Sequence, residues 1–169
     1  EFRGKPAAGR VRRASGKLGD VEIDFIQPVA GANAYSEFLR QHGDGIMSLI
    51  YAAPDAEAWR GETERLKAAG AQVLQREAWR GEAGETACVY FDTGQQGKYV
   101  LGLMHGPGVA AAAPPPAAKR ITQYAFVIRE LRPVSDYWGQ LGFPAITTTR
   151  PAIRDLQYRG KPVRYQQEL

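Results

Sequence analysis

The sequence predicts an α+β fold built from βαβββ units, one complete and two partial. Three observations carry this reading. Residues 45–105 spell β-α-β-β-β, the same order begins again after residue 120, and Phe2-Arg-Gly-Lys-Pro6 recurs as Tyr158-Arg-Gly-Lys-Pro162. The 169 residues divide accordingly. Residues 1–44 are the closing strands of a partial unit with a connecting helix, 45–106 the complete unit, 107–119 a linker and 120–169 the opening part of a further unit. The start at Glu1-Phe2-Arg3 lacks an initiator Met and an apolar signal-peptide core, so the chain is expected to enter a unit partway through.

The elements follow from local chemistry. Val21 to Ile26 alternates apolar and acidic residues and predicts a strand ended by Pro28. Asn33 can cap a short helix in which Tyr35, Phe38 and Leu39 recur at helical spacing. His42-Gly43-Asp44-Gly45 is turn chemistry, and Ile46 to Ala53 is an apolar run of strand length. Pro54-Asp55 opens a helix carrying Ala56, Trp59, Leu66 and Ala69 toward one side, which Gly70 stops. Ala71 to Gln75 reads as a strand. Thr86 to Phe91 and Lys98 to Met104 read as two more, joined by a polar hairpin loop over 92–97. Gly106 to Lys119 is Ala/Pro-rich and forms a stiff, extended spacer. Beyond it, Ile121 to Ile128 predicts a strand, and Pro133 leads a helix with Val134, Tyr137, Trp138 and Leu141 along one stripe. Ala145 to Thr149 and Asp155 to Tyr165 predict a strand and a strand or hairpin.

Composition narrows the function. No apolar run approaches the roughly 20 residues that cross a bilayer, and the single Cys88 excludes an intramolecular disulfide or a cysteine-cluster zinc site. A soluble, cytoplasmic protein with no membrane partner is expected. The 22 Lys+Arg against 18 Asp+Glu leave a net charge of +4, part of it in Lys5, Arg10, Arg12, Arg13 and Lys17. Those charges are separated by Gly, Ala and Ser, without the aromatics or helix that nucleic-acid binding uses, so they read as a solvated face and nucleic acid is not expected as a partner. Attraction for phosphorylated substrates such as coenzyme A esters is the other use of such a charge. Cys88 reads as a small core residue, His105 as a strand-end or gap-filling residue, and His42 as part of a turn. Glu22 and Asp24, two apart on one strand, share a face and suit either a polar strand face or an acid/base pair.

Several segments resemble the vicinal oxygen chelate superfamily, which includes glyoxalase I, methylmalonyl-CoA epimerase, extradiol dioxygenases and bleomycin-resistance proteins. They are Ile23-Asp-Phe-Ile-Gln-Pro28 with Gly31, Tyr35, Phe38-Leu39, His42-Gly43 and Gly45-Ile46; Tyr90-Phe-Asp-Thr93; and Tyr137-Trp-Gly-Gln-Leu-Gly-Phe143. The resemblance implies paired βαβββ units curled into a mixed-sheet cup around a divalent metal, with ligands on the first and fourth strands of each unit. Carried onto this chain, the first-strand positions are Ser48 and Gln123, and the fourth-strand positions Asp24 and Gly102.

Asp24 and Gln123 are therefore the candidate metal ligands, through carboxylate and amide oxygens suited to Zn, Ni, Mn, Co or Fe. Ser48 is a poor ligand and Gly102 offers none, so the complete unit has lost both of its positions. The resemblance implies a metal-dependent lyase or epimerase acting on a small acyl thioester or hydroxycarbonyl compound. The alternative is a metal-free, bleomycin-resistance-like protein that binds a small molecule. A partial unit leaves open sheet edges, so a homodimer is expected.

Overall fold

The computed structural model describes residues 1–18, 21–81, 84–107, 125, 127–144, 157–158 and 161–162. The architecture is α+β. Strands β1 (Arg10–Leu18) and β2 (Val21–Ala30) form an antiparallel hairpin, and helix α1 (Ala34–His42) leads from it. Next come β3 (Ser48–Ala52), α2 (Ala56–Ala68), β4 (Val73–Gly81), β5 (Gly84–Phe91), the short α3 (Gly94–Gly97) and β6 (Val100–His105). These four strands make one sheet in the order β3-β6-β5-β4, with β3 parallel to β6 and the other pairs antiparallel. Helix α4 (Leu131–Gln140) and a small hairpin of β7 (Gln157–Tyr158) and β8 (Lys161–Pro162) complete the described chain.

The helices begin where the sequence says. The Asn33 side chain accepts from Ser36 N at 2.8 Å, and Ser36 Oγ accepts from Asn33 N at 3.2 Å, a reciprocal cap that satisfies two otherwise unpaired amides. Asp55 caps α2 through Ala58 N at 2.8 Å. Past the end of α2, Gly70 takes φ +96°, a turn that L side chains resist.

Four expectations need correction. β2 continues through Pro28 to Ala30, where the sequence predicted a stop. Pro28 pairs with Val11 beside a register shift in a two-stranded sheet, and there a missing N–H breaks no central ladder. β4 runs on from Gln75 to Gly81 as the partner of β5, and the loop over 92–97 contains a helical turn held by Thr93. The buried Thr93 hydroxyl donates to Tyr99 O at 2.6 Å and accepts from Leu101 N at 2.9 Å. Of the strand predicted over 121–128, Val127 and Ile128 are not in strand; 121–124 and 126 lie outside the described residues, as do the linker over 108–119 and the strand predicted over 145–149.

Alternation along the strands splits the sheet into two faces. Val89, Phe91, Leu101 and Leu103 point toward α2 and α4, where they pack with Leu66, Val134, Trp138 and Leu141. Trp59 of α2 donates from Nε1 to Leu103 O at 2.9 Å and lies 5.0 Å from the His105 ring, so His105 fills a gap under α2. Trp138 stacks on Tyr99 at 4.6 Å and donates to Gly97 O at 3.1 Å. A Cβ on Gly97 would sit 2.4 Å from the Trp138 ring, so this approach requires glycine. The other face carries Cys88, Tyr90, Val100 and Met104, and it is covered by Ala34 and Tyr35 of α1 and by Ile26 of the hairpin.

Candidate functional site

The second face holds the chemistry. Gln75, Glu77 and Trp79 alternate on β4, and β-pairing sets Glu77 opposite Cys88 and Gln75 opposite Tyr90. From the hairpin, the same alternation brings Arg13 and Ser15 of β1 and Asp24 of β2 to the inner side, with Ser15 directly across from Asp24. Tyr35 reaches in from the first turn of α1.

These side chains form one network. Glu77 Oε1 accepts from Tyr35 Oη at 2.8 Å and from Tyr90 Oη at 3.2 Å, the two hydroxyls are 2.9 Å apart, and Gln75 Nε2 donates to Glu77 Oε2 at 2.9 Å. Gln75 in turn accepts from Ala34 N at 2.8 Å, which fixes its amide. Arg13 stands between two carboxylates: its Nη2 is 3.7 Å from Glu77 Oε1 and its Nε is 3.7 Å from Asp24 Oδ2. Its guanidinium also lies 4.9 Å from the centre of the Trp79 ring. Arg13, Asp24 and Glu77 are 29, 23 and 23% exposed at their side chains, so the cluster is largely withdrawn from water yet reachable.

Burial sets the protonation states. It raises the Tyr35 and Tyr90 hydroxyls well above the ordinary phenol range, reinforced at both by the neighbouring Glu77 charge, so both stay protonated and can donate. Burial also pushes the Cys88 thiol up to about 12, which makes it an inert core residue, as its sequence context predicted. Burial works against the charge on Arg13, but the neighbouring Asp24 and Glu77 carboxylates help to offset this, and its value is raised.

Of the two predicted metal ligands, Asp24 lies in this network and Gln123 lies outside the described residues. The described donors do not fit a divalent ion. Asp24 Oδ1 accepts from Ser15 Oγ at 2.5 Å and Oδ2 faces Arg13, whose fixed positive charge occupies the space between the two carboxylates. Ser48 and Gly102 add no strong donor, and a Cβ on Gly102 would meet Ile50 at 2.8 Å, so that position is filled by packing. Among the described residues no group of three or more His, Cys, Asp or Glu side chains converges.

Sequence reasoning missed Arg13, Gln75 and Glu77. The available signal was the alternation Gln75, Glu77, Trp79, which becomes visible once β4 is extended past Gln75. A second concavity, a cleft of about 860 Å³ between α1 and the 92–99 and 127–134 segments, has Glu37, His42, Asp92 and Lys98 in its wall. Three of its charges are committed elsewhere: Arg3 holds Glu37 and Asp92, and Lys98 Nζ donates to Gln95 O at 2.6 Å. The network around Glu77 is the stronger candidate.

No protein-family model matches the chain, and no curated protein matches it. Among solved structures, it is similar to a Streptomyces coelicolor methylmalonyl-CoA epimerase variant in complex with 2-nitronate-propionyl-CoA, at 18% identity and a TM-score of 0.47. It is likewise similar to a methylmalonyl-CoA epimerase in complex with methylmalonyl-CoA and ammonium, at 18% identity and a TM-score of 0.46. Each alignment covers 60% of this chain and 72% of the other.

Proposed function

We propose that the chain is a glyoxalase-superfamily protein, with 45–106 its complete βαβββ unit, and that it carries out epimerase- or lyase-type proton transfer on a small acyl thioester or hydroxycarbonyl compound. One observation carries the reading. A carboxylate with two protonated tyrosines lies beside an arginine whose donors are uncommitted. Among the described residues the Arg13 side chain makes no hydrogen bond, only two ion pairs at 3.7 Å and its contact with the Trp79 ring.

Withdrawing a proton from carbon next to a carbonyl moves negative charge onto the carbonyl oxygen, and a fixed cation aimed at that oxygen favours the transition state over the ground state. Arg13 supplies that cation. Glu77 takes the proton, leaving its electron pair in the enolate, and the tyrosines hold the carboxylate in place by donating to it. Protonation of the same carbon on its opposite face completes an epimerisation.

A second reading, binding without turnover, is favoured by the three hydrogen bonds that Glu77 already accepts, because they occupy the carboxylate oxygens that would have to reach a substrate proton. Methylmalonyl-CoA, whose acidic α-carbon lies between two carbonyl groups, separates the readings. Incubated in D₂O with catalytic protein, its α-proton should exchange for deuterium by NMR. Glu77→Gln should slow exchange at least 100-fold while binding persists, and Arg13→Ala should weaken both. Saturable binding without exchange selects the second reading, and absence of both removes the substrate class.

A further inference from the structure

Residues 2–6 and 158–162 differ only at their first position, Phe against Tyr, and they pair alike: Phe2 with Lys5, Tyr158 with Lys161. In the first copy the two-residue turn is explicit. Arg3 and Gly4 take φ +49° and +73°, the left-handed pair that matches the twist of a tight hairpin. Phe2 and Lys5 exchange backbone bonds of 2.9 and 3.1 Å across it.

This first hairpin is a docking element. It lies along the outer edge of β4, where unpaired strand groups would otherwise face solvent. Arg3 N donates to Leu74 O at 2.8 Å, and Glu1 and Arg76 exchange backbone bonds of 3.0 and 2.9 Å. Phe2 packs against the apolar cluster that contains Leu74. The Arg3 guanidinium then locks the hairpin to two other elements, with Nε and Nη2 on Glu37 of α1 at 3.0 and 2.6 Å and Nη1 on Asp92 at 2.9 Å. Every part of this grip comes from backbone, an aromatic side chain or the arginine before glycine. In sequence the second copy carries the same residue types, Tyr158, Arg159 and Gly160. Among the described residues β7 pairs with nothing but β8, and Gln157 and Lys161 are exposed.

We propose that the β4 edge with Glu37 and Asp92 is a receptor for this hairpin, and that Tyr158–Pro162 of a second copy of the chain is its other occupant, exchanging with Phe2–Pro6. Arg159 would take the place of Arg3 between the two carboxylates. The resident hairpin competes from within its own chain, so chains associate in proportion to how far its grip is loosened. The contact is head-to-tail, because the receptor and the incoming hairpin are different surfaces.

Disulfide trapping in the full chain tests this. Gln157 corresponds to Glu1, and opposed residues of a bonded antiparallel pair lie about 5.5 Å apart at Cα, within disulfide reach. Oxidised Arg76→Cys/Gln157→Cys protein should yield a covalent dimer. The yield should rise several-fold when Arg3→Ala loosens the resident hairpin and fall several-fold with Arg159→Ala. Buried Cys88 stays out of the reaction. Glu1→Cys/Arg76→Cys should close within one monomer, which verifies that the altered edge folds. Dimer absent while that control closes, dimer indifferent to Arg159→Ala, or closure of the Arg76→Cys/Gln157→Cys pair inside one chain would each overturn the proposal.

Discussion

The two faces of the β3-β6-β5-β4 sheet are made by neighbouring residues of the same strands, yet they are built by opposite rules. On β5, Val89 and Phe91 face α2 and α4 in an apolar interior, while Cys88 and Tyr90 face the hairpin and share their side with Glu77, Gln75 and Arg13. The first face gains its stability from packed area, which is non-directional and tolerates only changes of similar volume. The second surrenders some of that gain to hold a carboxylate and a guanidinium at 3.7 Å, and every polar atom there needs its partner. Stability and chemistry are thus divided between the two sides of one strand.

The sharpest break of that contrast is Trp138→Ala. Trp138 is 5% exposed, stacks on Tyr99, meets Phe143 edge-on at 4.9 Å and donates to Gly97 O. Its loss should cost about 3–5 kcal/mol in urea unfolding through the cavity it leaves and the detachment of α4. Tyr90→Phe on the opposite face keeps the ring and removes one hydroxyl, so it should cost only about 1 kcal/mol while impairing deuterium exchange. Comparable stability losses for the two would mean that the faces are not energetically distinct.

The apolar face was legible in the sequence and the polar face was not, for a physical reason. Helix periodicity at Val134, Trp138 and Leu141 and the caps at Asn33 and Asp55 are each written within a short local stretch, because local geometry decides them. The network joins β1, β2, α1 and β4, and nothing local announces that Arg13 will meet Glu77 across 63 intervening positions of sequence. Arg13 therefore read as one more charge on a solvated face. Asp24 was singled out through the family resemblance, and in the structure it faces a guanidinium. Pro28 shows the converse error: a local rule against proline in strands fails where a register shift leaves no ladder bond to break.

Alkaline pH should separate the faces next, because the raised groups against the apolar side, Tyr99 and Tyr137, are both phenols, whereas the polar side adds a thiol that titrates earlier. Cys88 rises to about 12 through burial, and Tyr35 and Tyr90 rise from the same cause. A group whose folded value exceeds its unfolded one lends stability in full below the unfolded value and loses it as pH climbs. Stability should therefore be flat to about pH 9 and then fall by about 1.4 kcal/mol per pH unit for Cys88, more steeply above about pH 10 as the tyrosines join. Urea midpoints between pH 7 and 11 report this, and Cys88→Ala should remove the decline between pH 9 and 10. A decline unchanged by that substitution would place its source elsewhere.

The smallest effect belongs to the Arg3 clamp at the rim, and it runs in the opposite pH direction. The Arg3 hydrogen bonds hold the Glu37 carboxyl below its ordinary range. A lowered carboxyl lends its stability above the unfolded value of about 4.5 and loses it as pH falls through the folded one. Arg3 is 46% exposed, so solvent screens the pair and Arg3→Ala should cost less than about 1 kcal/mol at neutral pH despite three hydrogen bonds. That difference should shrink as pH falls through the lowered Glu37 value, where the carboxyl takes up its proton in the folded chain too. It should also shrink in molar salt, which leaves the buried Tyr35–Glu77 contact untouched. An Arg3→Ala penalty that persists at low pH and high salt would mean that the left-handed Arg3–Gly4 turn and its backbone pairing with β4, rather than the two carboxylates, hold the hairpin in place.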